Sequence, residues 1–197
     1  VSLSLVTAPA EEPISLQDAT AHLRLEDDAT DVALVNSLIK AARQEAENHT
    51  HRAFITQTWD LNFDTFPAVI KIPKSPLVSV THVKYYDTAG AQQTLAASNY
   101  IVDAPAGPQC LEGRITLSAT GTWPAIQTRT NAISVRFVAG YGVAFSVPEP
   151  IKSAMKLILG HLYENRENVV ITERGSIVQE MPQAAQWLLG PYTIVSF

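Results

Sequence analysis

The sequence predicts an α+β fold: a helical core built from the two ends of the chain, with a small antiparallel β domain inserted between them. Three observations predict it. Apolar residues recur at helical spacing between Ser15 and Thr50 and again from Ile151. Between Phe54 and Val138 the period shortens to two. Prolines at positions 67, 73, 76, 105, 108 and 124 cut that middle stretch into short pieces, as in a small sandwich or barrel. The segments on this reading are 1–53 (N-terminal helical), 54–147 (inserted β domain) and 148–197 (C-terminal helical, packing with the first).

Residues 1–14 read as an extended leader ending at Glu12-Pro13. Ser15 is placed to cap a short helix, with Asp18 three residues on as a capping-box variant. Asp27-Asp28-Ala29-Thr30-Asp31 opens a second helix. Val32, Val35, Leu38, Ile39, Ala42 and Ala46 share its apolar face, while Asn36, Lys40, Arg43, Gln44 and Glu47 line the other. The next strand carries Ile55, Gln57, Trp59, Leu61 and Phe63 on one side. Short strands follow at 69–72 and 78–86, and Asp87-Thr88-Ala89-Gly90 turns the chain into 92–95 as a hairpin. Further strands are expected at 100–102, 114–117 and 132–138. Gly140-Tyr141-Gly142 reads as a flexible exit from the last of them.

Pro148-Glu149-Pro150 starts a helix, with proline tolerated in the first turn and the acid suited to the dipole. Its stripe is Ile151, Ala154, Met155, Ile158 and Leu162; Leu157 and Leu159 widen the apolar surface, which implies burial on more than one side. Residues 168–181 read as a long loop around Gly175. Gln183 to Leu189 form a last short helix, and Thr193 to Phe197 an apolar extended tail.

Bulk properties bound the function. The 197 residues suffice for a core without disulfides, and Cys110 is the sole cysteine. A net charge of -5 argues against general nucleic-acid binding. Charged residues make up 17% of the chain, below the typical ~25%, which points to apolar surface covered by another subunit. The opening residues lack the basic character of a signal peptide, and no stretch nears the ~20 apolar residues of a membrane span.

Candidate chemistry is thin. Asp27, Asp28 and Asp31 match a DDxxD magnesium–diphosphate pattern, but acids at a helix start also offset the macrodipole, and that structural explanation is favoured. His49 and His51 look like a metal pair, yet His22, His82, His161 and Cys110 are scattered without ligand spacing. No GxSxG elbow or phosphate loop occurs. Glu164 and Glu167 flank Arg166, a pattern more typical of a solvated face or an intersubunit ion pair. No catalytic, cofactor or metal site is therefore expected. Two rival functions remain: a monomeric binding module using exposed Tyr85, Tyr86 and Trp123 of the β domain, and, last, a divalent-metal enzyme built on the aspartates.

Several segments taken in order resemble the head–tail connector (adaptor) proteins of tailed bacteriophages and prophages. Pro13-Ile14-Ser15-Leu16-Gln17-Asp18-Ala19 with His22-Leu23-Arg24-Leu25 is similar to the family's opening helix, and Leu38 to Glu47 to its second. Thr50-His51-Arg52-Ala53-Phe54-Ile55-Thr56-Gln57-Thr58-Trp59 resembles its passage into the β region, with His51 where the family often has glycine. Phe137 to Gly142, followed by Val147-Pro148-Glu149-Pro150-Ile151, resembles the return to helix. Tyr163-Glu164-Asn165-Arg166-Glu167 and Leu188-Leu189-Gly190-Pro191-Tyr192 complete the set; the family's basic end is absent after Tyr192.

The resemblance implies a structural virion protein with no catalysis and no cofactor. It implies self-association into a ring, dodecameric in the virion, beneath a portal protein in the virion neck. Such a ring extends the DNA channel after packaging and supports neck and tail completion proteins. Genomic DNA passes without sequence-specific binding, no membrane is involved, and assembly takes place in the host cytoplasm. Leu157, Leu159, Tyr163, Arg166, Trp187 and Phe197 are the expected interface residues, chosen for their excess apolar or anchoring character.

Overall fold

The computed structural model describes residues 1–25, 32–165, 169–172, 175–178 and 181–194. It is an α+β protein that divides into two compact units. One holds residues 1–10 and 51–142; the other holds 11–50 and 143–197.

The first unit is built from strands whose side chains alternate in burial. Its main sheet has the order β1-β2-β8-β4-β5 and is antiparallel throughout. These strands are β1 (Ser2–Thr7), β2 (Gln57–Phe63), β4 (Leu77–Tyr86), β5 (Gln92–Thr94) and β8 (Ile133–Ala139). A second sheet orders β3 (Ile70–Lys71), β7 (Arg114–Leu117) and β6 (Tyr100–Asp103) as β3-β7-β6. In β8, Ile133, Val135, Phe137 and Ala139 are fully buried and the residues between them are half-buried. That two-residue period turns one row of side chains into the core shared with Leu61, Ile70, Ile72, Val83 and Ile115.

The opening residues are extended, as expected, but they do not trail: β1 pairs with β2 from Ser2↔Asn62 to Thr7↔Thr58. Alternating Ser and Leu suits a strand, and pairing satisfies backbone groups that a free leader would leave to water.

The Gly140-Tyr141-Gly142 segment differs from the flexible exit expected. Gly140 N–H donates to the Pro76 carbonyl at 2.9 Å, Tyr141 N–H to Phe54 at 3.0 Å, and Thr56 N–H to Gly142 at 3.0 Å. The Tyr141 hydroxyl donates to the Pro108 carbonyl at 2.6 Å. Gly140 has φ +136, and a Cβ there would lie 2.5 Å from the Ile55 carbonyl oxygen. The glycine permits two backbones to approach, so it fastens the strand's end.

In the second unit, α1 (Leu16–Leu23) carries the expected capping box: Asp18 N–H donates to the Ser15 hydroxyl oxygen at 3.0 Å and Ser15 N–H to the Asp18 carboxylate at 3.3 Å. In α2 (Val32–Thr50) the expected face is buried at Val35, Ile39, Ala42 and Ala46. Arg43 and Glu47, read from sequence as part of the polar face, are buried too. The Arg43 guanidinium bridges Glu12 and Glu47, each at 2.7 Å, and this pairing makes their burial tolerable.

Helix α3 (Glu149–Glu164) packs against α1, α2 and α4 (Gln183–Leu189). Contact on several sides explains its wide apolar surface; Leu159 is buried, whereas Leu162 is half-buried. The stretch read as a loop around Gly175 contains an antiparallel hairpin instead, β9 (Val169–Thr172) with β10 (Gly175–Val178). Val169, Val170, Ile171 and Thr172 are all β-branched, a composition that favours extended backbone over loop. No described helix is long and apolar enough to cross a membrane.

Candidate assembly surface

The helical unit leaves its largest apolar side chains at two places. On α4, Ala185 and Leu189 are buried one turn apart, which fixes the inward face. Trp187 lies between them in sequence, points away and is 72% exposed. The helix is held at its start by the Gln186 amide donating to the Met181 carbonyl at 3.1 Å. At its end Tyr192 and Ile194 are buried, and Ile194 N–H donates to the Thr50 carbonyl at 3.2 Å. Trp187 therefore stands on a support tied down at both ends.

The second place is the short helical turn Ala144–Ser146, where Phe145 is 91% exposed. Ala144 N–H donates to Glu11 Oε1 at 2.7 Å. Phe145 is one of the residues lining a cavity of about 540 Å³, together with Ile14, Ile39, Asp18, Lys152 and Lys156. The Ser15 hydroxyl donates to Asp18 at 2.7 Å. That bond, aided by Lys156 and Lys152, holds the Asp18 carboxyl below its usual value. A carboxylate so stabilised is a poor base, and its serine is committed to a cap rather than to nucleophilic attack.

The expected interface residues fall at several depths. Trp187 is exposed, while Leu157 and Tyr163 are half-buried. Leu159 is fully buried within its own chain. Arg166, Glu167 and Phe197 lie outside the described residues, as do Asp27, Asp28 and Asp31. Among the described residues no group of three or more His, Cys, Asp or Glu is set to hold a metal.

The β unit's aromatics are not the open platform a binding module would need. Trp123 stacks on Phe66 with centroids 4.6 Å apart, and Phe66 meets Tyr85 edge-on at 6.2 Å. Tyr86 lies beneath the Arg129 guanidinium at 4.0 Å. All three candidates, Tyr85, Tyr86 and Trp123, are half-buried and engaged. A smaller cavity of about 390 Å³ sits beside Asp64, Ile126 and Arg129.

Residues 13–104 match the model of the phage gp6-like head-tail connector protein family. Over that stretch the chain is similar to the head–tail connector proteins. The match takes in α1, α2, the passage into the β unit and β2 to β6, the same order in which the motifs were read. No curated protein matches the chain.

Among solved structures, a chain from the neck of an empty GTA particle computed with C6 symmetry superposes with a TM-score of 0.80 at 21% identity. A chain from the virion of a native gene transfer agent (GTA) particle gives 0.78 at 22%, and one from the native GTA neck computed with C12 symmetry gives 0.71 at 21%. Each alignment covers 100% of this chain and 97% of the other. At such identity the likeness is one of fold.

The connector-like motif around residue 51 contains a tight turn. His51 adopts φ +57, the left-handed region that a glycine would occupy free of Cβ strain. The turn drops Arg52 into the β unit, where it is 2% exposed and donates from Nη2 to the Cys110 carbonyl at 2.7 Å. Sequence reading missed this anchor, as it missed the Arg43 bridge, because burial of an arginine depends on partners remote in the chain. The only signal was the placing of Arg52 inside the connector-like motif.

Proposed function

We propose that this chain is a structural protein of a virion neck, one subunit of a ring that sits beneath a portal. The observation that carries the reading is the full-length likeness to chains from GTA necks computed with C6 and C12 symmetry, joined to the connector family match. A dodecamer fits that symmetry. The ring extends the DNA channel and supports neck and tail completion proteins, and its role is mechanical rather than catalytic. The acidic balance of the chain, -5, suits passage of DNA without adhesion. Assembly takes place in the host cytoplasm and ends in the virion neck.

Trp187 is the leading contact, because a supported and exposed tryptophan is the type of side chain that dominates interfaces. Leu157, Tyr163, Arg166 and Phe197 are further contacts on this reading, with the buried Leu159 as backing. Light scattering across a concentration series, with negative-stain images and with or without portal protein, tests the function. Closed rings with a central channel are the expected result. A strict monomer that portal protein fails to recruit would overturn it.

A further inference from the structure

The main β sheet ends on one side in an unguarded strand. β1 runs Ser-Leu-Ser-Leu-Val-Thr without a charge, and five of its six residues are exposed. Leu5 and Val6 are 46% and 44% exposed. The opposite edge, β5, is only Gln92–Thr94, short and polar. Exposed edges are commonly blunted by shortness, charge or bulges, since a bare row of N–H and C=O groups is a template for another strand. β5 follows that pattern. β1 has only an irregularity between Leu5 and Thr7, which leaves Ser2–Leu5 in regular register.

The chain also carries strands in need of a sheet. Among the described residues, β9 and β10 form a two-stranded sheet of their own. Val169–Thr172 and Gly175–Val178 contain no charged residue and are rich in Val and Ile. An isolated two-stranded hairpin is at best marginally stable in water, and a third strand is what it lacks.

We propose that the β9–β10 hairpin of one copy adds to the β1 edge of the next, extending the main sheet across the subunit boundary. Backbone hydrogen bonds supply the contact, and the uncharged strands on both sides leave nothing to repel it. Donor and acceptor are different surfaces, so the contact is heterologous and propagates from copy to copy until a ring closes. The inference rests on the ring reading above and names the surfaces that join its subunits.

Cross-linking between two variants tests it. Cys110, the sole native thiol, is buried, so introduced thiols report cleanly. Ser4→Cys protein is mixed with Ser176→Cys protein, assembled alone or on portal protein, and treated with a short bis-maleimide. Ser153→Cys, exposed on α3, replaces Ser4→Cys in the control. Covalent heterodimer is expected on the order of a hundredfold above the control, since paired strands hold the thiols at high effective concentration. Rings that form without this cross-link would overturn the strand pairing and leave the ring reading standing. So would self-linking of Ser4→Cys alone, which would mean β1 meets β1. Absence of any oligomer, with portal protein present, would overturn both.

Discussion

In the β unit the aromatic side chains are consumed by the unit's own packing: Phe137 is fully buried, Trp123 is stacked on Phe66, and Tyr86 is covered by Arg129. In the helical unit Trp187 and Phe145 stand 72% and 91% exposed. Each unit buries an arginine: Arg52 of the β unit donates to the Cys110 carbonyl, and Arg43 of the helical unit lies between Glu12 and Glu47. The contrast separates two duties. One unit closes a core around strands and offers a sheet edge; the other presents large aromatics on a braced helical support. An account of assembly should therefore seek side-chain anchors in the helical unit and backbone pairing in the β unit.

The sharpest way to break the β unit is to hollow its centre. Phe137→Ala in the middle of β8 should cost about 3–5 kcal/mol, read as a lowered urea midpoint. A loss near zero would mean that β8 is not the centre of a packed core. In the helical unit the corresponding blow is Arg43→Met, which removes the cation set between Glu12 and the buried Glu47. About 3 kcal/mol is expected, the low end for a broken buried pair because Glu12 keeps some exposure to water. Full retention of stability would show that the bridge is dispensable.

Acid should separate the units by where they lose stability. Across β2, β8 and β4, Asp60 and His82 both lie opposite Arg136. Burial, with Lys84 and Arg136 nearby, pulls the His82 imidazole below its ordinary 6.5. The Arg136 hydrogen bonds at 2.8 Å pull Asp60 below 3.8. Both folded-state values are lowered, so each group contributes stability that is present above its unfolded value and lost as pH falls. The loss tied to His82 starts near pH 6.5 and should vanish in His82→Asn; the losses tied to Asp60 and to Asp18 of the helical unit start near pH 3.8. Denaturant midpoints measured against pH for both proteins give the comparison.

Smaller effects sharpen the contrast further. Ser15→Ala removes the α1 cap and should cost about 1 kcal/mol, seen as a modest drop in melting temperature. Trp187→Ala should leave folding within about 0.5 kcal/mol, since the ring is exposed, yet reduce ring formation in light scattering. Unchanged assembly would remove Trp187 from the interface.

Much of the architecture was legible in the residues because short periods act locally. The strand 114–117 and the helix 183–189 appear with the bounds read from sequence, and Ser15 with Asp18 forms the capping box its spacing implied. The β9–β10 hairpin lies in a stretch that reads as a loop around Gly175, where only the β-branched run Val169–Thr172 signals strand. The proposed assembly surface was legible only in part. Trp187 could be singled out by type and neighbours, but Leu159 was given the same standing although its own helices bury it.

By itself the sequence determined most of the helices and strands between Ser15 and Leu189, and the connector resemblance. Periodicity, caps and turn residues act over a few positions, so one chain suffices to read them. Only the tertiary structure decided which apolar residues are spent inside the subunit and which remain outside. It also placed Arg43 and Arg52 in the interior, made β1 the open edge of a sheet and left Phe145 and Trp187 uncovered. Burial is settled by partners distant in sequence, and no local pattern carries that information.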